Sequence, residues 1–155
     1  MRTNAPELGG DFLVAFLNTL DVEDGTDRLV DDADFAAWSR EHGVESGDRE
    51  EALRVRDALR AIVDGEEASL PAVELTTSCG EHAVELRART AAEAAVASSV
   101  VLSIQGRLRR VKLCGGEDCR WAFYDESRNG SRQWCSMEVC GNRQKARTYR
   151  AKREG

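Results

Sequence analysis

The chain has 155 residues, 22 Lys+Arg against 28 Asp+Glu, five cysteines and a formal net charge of −6. That length suits one domain or a domain with a small appendage, and 41% hydrophobic residues support a packed core rather than wholesale disorder. The mean charge argues against a nucleic-acid partner, but it hides a split: residues 1–104 carry 9 basic and 22 acidic side chains, net −13, and residues 105–155 carry 13 basic and 6 acidic, net +7. Such asymmetry points to contact with nucleic acid or a membrane by one half. No apolar run approaches a membrane span, the longest candidate being Ala94–Ile104. Met1–Gly10 lacks the basic-then-apolar order of a signal peptide, so the expected location is cytoplasmic, with no membrane partner.

In chain order, Phe12, Leu13, Phe16, Leu17 and Leu20 recur at helical spacing with Asp11 as N-cap. The acidic run Asp21–Asp34 lacks the ligand spacing of a calcium loop and reads as a solvated face with helix caps. A second helix is predicted from Asp32 or Asp34 to Gly43, with His42 at its C-terminal end. A third opens on Asp48 with Glu51 as a capping box, places Leu53, Leu59, Ile62 and Val63 on one side, and stops at Asp64–Gly65. Period-two alternation in Val73–Leu75 and Ala83–Arg89, around a turn at Ser78–Glu81, predicts a β-hairpin. Thr90 and Glu93 open an Ala-rich helix that Gly106 ends, and a short strand Leu108–Leu113 follows.

The strongest signal is Cys114-x4-Cys119-x15-Cys135-x4-Cys140. Four soft ligands in two short-spaced pairs suit one tetrahedral zinc ion, and a site closed by four sulfurs leaves no position for substrate water, so the zinc is structural. Gly115-Gly116 is expected to tighten the first turn through positive φ. The residues between the pairs are expected to form a hairpin of Arg120–Tyr124 and Arg132–Trp134, turned at Ser127-Arg128-Asn129-Gly130. The rival for the cysteines is two disulfides or a set of buried thiols; paired spacing, glycine placement and a reducing compartment favour zinc. Four thiolates on one zinc carry a formal charge of −2, so Lys112, Arg120, Arg132 and Arg143 are expected to serve the centre in part.

Beyond Cys140, Arg143–Arg153 contains nothing that breaks a helix, and Arg143, Arg147 and Arg150 form one stripe widened by Lys145, Lys152 and Arg153. With Arg128 and Arg132 from the hairpin these are the candidate nucleic-acid contacts. The competing use of the same charges is to balance the thiolates or the acidic half. Trp121, Phe123 and Trp134 are expected in the module's small core, leaving Tyr149 as the exposed ring. His42 and His82 sit in no catalytic motif, no phosphate-cradling glycine loop is present, and Cys79 reads as a buried or turn thiol, so no enzymatic activity is expected.

Trp121, Phe123 and Asp125, then Ser127-Arg128-Asn129, Trp134-Cys135-Ser136-Met137 and Cys140-Gly141-Asn142-Arg143 with Lys145, resemble the CGNR zinc-finger family over about forty residues. Upstream, Phe12–Leu20 and Asp32–Gly43 resemble the ABATE domain that precedes this finger in the family, although Glu66–Arg89 is shorter than the family's middle segment. The expected architecture is therefore α+β: a mainly helical ABATE-like domain with a β-hairpin over residues 1–106, and a treble-clef-like four-cysteine zinc finger over 107–155 ending in a basic helix. The resemblance implies a stress-induced bacterial transcriptional regulator whose finger contacts double-stranded DNA. Its N-terminal domain would sense a small molecule or bind a protein, with a homodimer as the default assembly although no coiled-coil seam appears. The residues alone leave DNA, RNA and an acidic protein surface open as partners of the finger.

Overall fold

The computed structural model describes residues 5–155; Met1–Asn4, part of the stretch read as lacking signal-peptide order, lie outside the described residues. Helices α1 (Gly10–Leu17), α2 (Asp32–Glu41), α3 (Arg49–Val63) and α4 (Ala91–Ile104) build the body. Three of these, α1, α3 and α4, enclose Leu13, Phe16, Leu17, Val55, Leu59 and Leu102. Full burial of such side chains contributes about 1.5–3 kcal/mol each over leaving them exposed. Ala91, Ala92, Ala94, Ala95, Ala97, Ser98 and Ser99 bury α4 on most sides, and their small size lets the backbones approach closely. One mark of that approach is the Gly9 N–H donating to Ser98 Oγ at 3.1 Å. On α2, Phe35 and Trp38 close the core, Trp38 meeting Phe12 edge-on at 5.8 Å and stacking on His42 at 4.1 Å.

Helix-start signals hold where they act over three residues. Asp48 caps α3 through the Glu51 N–H, a one-way cap rather than the expected capping box, and Thr90 with Glu93 forms a reciprocal capping box on α4. Elsewhere the boundaries move. The N-cap of α1 is Gly9 and not Asp11, which lies inside the first turn, and Asp31 rather than a later aspartate caps α2. Strands β1 (Leu20–Asp21) and β2 (Thr26–Asp27) make a short hairpin. Within this acidic run Asp27 is not simply solvated: it takes a bidentate bond from Arg56 at 2.6 and 2.9 Å, so its carboxyl, despite burial, is held below the usual carboxylate range. The middle hairpin is β3 (Thr76–Cys79) with β4 (Val84–Arg87), displaced from the expected strands so that the turn falls at 80–83 and Cys79 is exposed within a strand.

Strand β5 (Val111–Leu113), preceded by a 3₁₀ turn at Leu108–Arg110, pairs antiparallel with β6 (Ala122–Tyr124), Lys112 opposite Phe123. Val111 and Ala122 are buried in the main core with the helices of the body, so the packing runs across the sequence boundary at 106/107. Asn18, at the end of α1, copies a strand edge against β6: its Nδ2 donates to the Ala122 carbonyl at 2.9 Å and its Oδ1 accepts the Ala122 N–H at 2.7 Å. A π-type turn, Met137–Gly141, then leads into α5 (Asn142–Arg153). Among the described residues no helix is long and apolar enough to cross a membrane.

Candidate metal centre

The four sulfurs of Cys114, Cys119, Cys135 and Cys140 all lie within 4.8 Å of one another. The Cys119–Cys135 and Cys135–Cys140 Sγ separations are both 3.7 Å. A tetrahedron with metal–sulfur bonds of about 2.3 Å has edges of about 3.8 Å, whereas a disulfide needs about 2.05 Å. These four cysteines are free, which removes the disulfide reading, and the donor set fits one zinc ion. Closed by four sulfurs, such a site is structural.

Three of the four sulfurs are each positioned by a different local device. Cys114 follows β5, and its N–H donates to the Trp121 carbonyl at 2.8 Å. Cys119 ends a tight turn in which its own N–H reaches the Gly116 carbonyl at 3.0 Å. Cys140 rides on the π-type turn, capped where Ser136 Oγ accepts the Val139 N–H at 3.3 Å. The glycines of the first pair do not act through positive φ as expected, since neither adopts it. Their requirement is space: a Cβ on Gly115 would stand 2.9 Å from the Trp134 ring, and one on Gly116 would stand 3.3 Å from Cys119 Cβ. The left-handed residue is Arg120, at φ 52, a conformation costing an L-residue about 1–2 kcal/mol. It is pinned there by Nη1 donating to the Cys114 carbonyl at 3.1 Å, an ion pair from Nη2 to Asp64, and its own carbonyl accepting Arg60 Nη2 at 2.7 Å.

Burial opposes the Cys114 thiolate, but the Cys135 N–H, 3.4 Å from its sulfur, and the Gly116 N–H outweigh burial and lower its pKa. Burial and the neighbouring sulfurs push the Cys135 thiol upward, and burial pushes Cys140 up to about 11. Of these thiols Cys114 is the one whose anion the backbone favours, and metal binding to such a site releases protons from its ligands.

The return arm of the expected hairpin is not a strand: residues 131–134 join no ladder among the described residues. Lys112 and Asp125 hold it instead. Lys112 Nζ donates to Asp125 Oδ2 at 2.8 Å and to the carbonyls of Gly130 and Arg132 at 2.6 and 2.9 Å. Asp125, fully enclosed, also accepts the Ser127 N–H and Oγ and the Arg132 N–H. Burial works against its charge, yet these donors hold its carboxyl far below the usual range. Lys112 therefore serves Asp125 and not the sulfurs. Asn129-Gly130 does form the turn, with Gly130 at φ 61 and its N–H reaching the Ser127 carbonyl at 3.2 Å.

The cationic candidates divide. Arg132 stacks over Phe123 at 5.1 Å and donates to the carbonyls of Trp134 and Cys135, so its guanidinium is built into the module. Arg143 pairs with Glu23 at 2.8 Å, across to the body, and Arg147 with Asp118 at 2.7 Å. The Glu23 carboxylate raises the Arg143 pKa, with Cys140 and Cys119 adding to it. Arg153 lies over the Tyr149 ring at 5.8 Å. Arg128, on the turn, and Lys145, Arg150 and Lys152, on α5, are exposed.

Hydrophobic periodicity misses Arg60, which is 8% exposed and donates Nη1 to the Leu17 carbonyl at 2.9 Å as well as reaching Arg120. Burial, then Arg56 and Arg120, lower its pKa. Its position one residue after Leu59 and four after Arg56, on the buried face of α3, is the signal that could have found it. Asp125 carries the turn-initiating signature of an Asp shortly before Ser-Arg-Asn-Gly.

Compared with known families, residues 110–153 match the CGNR zinc finger. Residues 10–112 match the ABATE family, described as "Putative stress-induced transcription regulator". No curated protein matches the chain.

Proposed function

This chain belongs to the ABATE family and carries a CGNR zinc finger at its C-terminal end, and on that premise we propose that it is a zinc-dependent transcriptional regulator whose finger binds double-stranded DNA. The observation carrying this reading is α5. Its 12 residues contain no acidic side chain and bury none of their own, and it leaves the metal centre directly after Cys140. A helix held at one end and solvated along its length presents Lys145, Arg147, Arg150, Lys152 and Arg153 to phosphates or to guanine edges in a major groove, with Arg143 and Arg128 beside it. The body would sense a small molecule or a protein, with a homodimer as the working assembly and the cytoplasm as its location. Neither family is enzymatic, and the zinc ion, bound by four thiolates, supplies folding energy rather than reactivity.

A second reading rests on the ion pairs of Arg143 with Glu23 and Arg147 with Asp118. Cations that already meet carboxylates suit an acidic protein surface, and RNA would use the same charges. A gel shift of intact, zinc-loaded chain on duplex DNA across a salt series separates these. The duplex reading expects log affinity to fall with log salt by about 0.9 for each phosphate contact, and expects truncation after Cys140 to abolish the shift. Absence of any shift at low salt overturns it.

A further inference from the structure

Between α5 and the segment entering Cys135 lies a groove of about 320 Å³, lined by Trp134, Gly141, Gln144, Lys145, Thr148, Tyr149 and Lys152. We propose that it takes one unpaired nucleobase, stacked against Trp134 and Tyr149, with the adjoining phosphates on Lys145 and Lys152. This rests on the reading that the finger binds nucleic acid and deepens it by naming an unpaired base, in a single strand or an opened duplex, as the ligand of this groove.

The floor is aromatic. Trp134 is expected as pure core, but it is only half-buried: one side packs on the cysteine cluster, against Gly115, and another part of the ring faces the groove. Tyr149 is 62% exposed, leaving much of a large ring open to a stacking partner. Arg153, 5.8 Å over the Tyr149 ring, adds a cation beside the π-system. The rim is cationic, Lys145 and Lys152 standing two helical turns apart on α5, and among the described residues none that is acidic lines the groove. Gln144 and Thr148 add polar groups, although the Thr148 hydroxyl is already donated to the Gln144 carbonyl at 3.0 Å. Two rings flanked by ammonium groups reproduce the pairing by which proteins hold unpaired bases, sequence-tolerant stacking with electrostatic tracking of the backbone. Charged groups of one sign only, Lys145 and Lys152, favour a polyanion, and the two rings favour a base over an aliphatic side chain. Glycine at 141 keeps the groove open, since a Cβ there would meet Met137 at 3.0 Å and Trp134 at 3.4 Å.

The test uses full-length, zinc-loaded protein and three labelled probes: a duplex, the same duplex with one unpaired thymine, and oligo(dT). The proposal expects tighter binding to the probes with unpaired bases. It expects Tyr149→Ala to lose roughly 5- to 150-fold on those probes, the range for deleting one stacking partner, with unchanged duplex affinity and unchanged salt slope. Tyr149→Phe should retain wild-type binding. Because α5 buries no side chain, zinc content of Tyr149→Ala should equal wild type. Equal affinity of Tyr149→Ala and wild type for all probes, or no preference for unpaired bases, overturns the proposal and leaves the duplex reading standing. Binding of oligo(dT) without any duplex shift supports the groove and overturns the duplex reading instead. Tyr149-dependent capture of a polyglutamate-tyrosine peptide with no nucleic-acid binding overturns both in favour of a protein partner.

Discussion

The helical body encloses Leu13, Phe16, Leu17, Leu29 and Leu59 almost completely, whereas the segment from Cys114 to Cys140 encloses three cysteines, an aspartate, Phe123 and Ala122, the last packed into the body's core, and leaves Met137 and Val139 half-exposed. Above residue 110 there is too little apolar mass to close a core of its own, the general condition under which small modules rely on metals. What replaces it is directional: four sulfurs around one point, and Lys112 and Asp125 tying three backbone segments together. An apolar core tolerates small adjustments of its contents. A centre built from coordination and buried charge loses most of its stability when one member is removed.

Metal removal should break the comparison most sharply. Structural zinc in such modules contributes on the order of 10–16 kcal/mol to folding, so chelation or Cys140→Ser should unfold the segment after Leu113. The helices α1, α3 and α4 should persist, visible as retained far-ultraviolet helicity with loss of amide-exchange protection confined to the module. Acid should act in the same direction. The Cys140 thiol is pushed up to about 11, so coordination at neutral pH displaces protons, and zinc affinity should fall with every step down in pH, read by competition with a chromogenic chelator.

Next is Asp125→Asn, which leaves the half-buried Lys112 ammonium without its counter-charge. About 3 kcal/mol should be lost from the module, measured as a lower denaturant midpoint for zinc release. The pH dependence has a definite sign. Asp125 is held below its ordinary 3.8, so the wild-type pair contributes fully above about pH 4 and is lost as acid drives the carboxyl toward its folded value. The Asn variant should lack that acid-side loss.

The legibility of the chain follows the same division. Four cysteines announce a metal site because the ligand chemistry is carried by residue type and short spacing, and the caps of α3 and α4 are legible because an N-cap acts three residues away. The stretch 131–134 misleads because an Asn-Gly turn implies two strands, while here a lysine Nζ holds the second arm with no ladder. Arg60 escapes because hydrophobic periodicity counts only apolar residues on a buried face. At 115 and 116 the pattern marks glycine as necessary but suggests the wrong reason. Steric approach of Trp134 is a tertiary fact with no local signature.

That last point makes a smaller prediction. Gly115→Ala should cost about 1–3 kcal/mol of module stability, the range for overpacking a close contact, and should alter Trp134 fluorescence. Gly116→Ala, with its nearest neighbour at 3.3 Å, should cost less. Equal costs would show that backbone freedom, not space, selects glycine here.

The smallest expected effect concerns the ion pair that joins the acidic body to α5. Glu23→Gln releases Arg143 and should strengthen duplex binding by no more than about fivefold, with the gain vanishing above roughly 0.15 M salt. A larger gain would mean that the body masks the helix over more than this contact.

Arg60 has a consequence beyond holding two segments together. Its guanidinium touches the carbonyl that ends α1 and the carbonyl immediately after Cys119, so one side chain of α3 ties α1 to a metal-ligand turn. Thermodynamic reciprocity then applies. Where a ligand of the body shifts the spacing of those helices and with it this turn, it changes the affinity for zinc, and zinc changes the affinity for that ligand by the same factor.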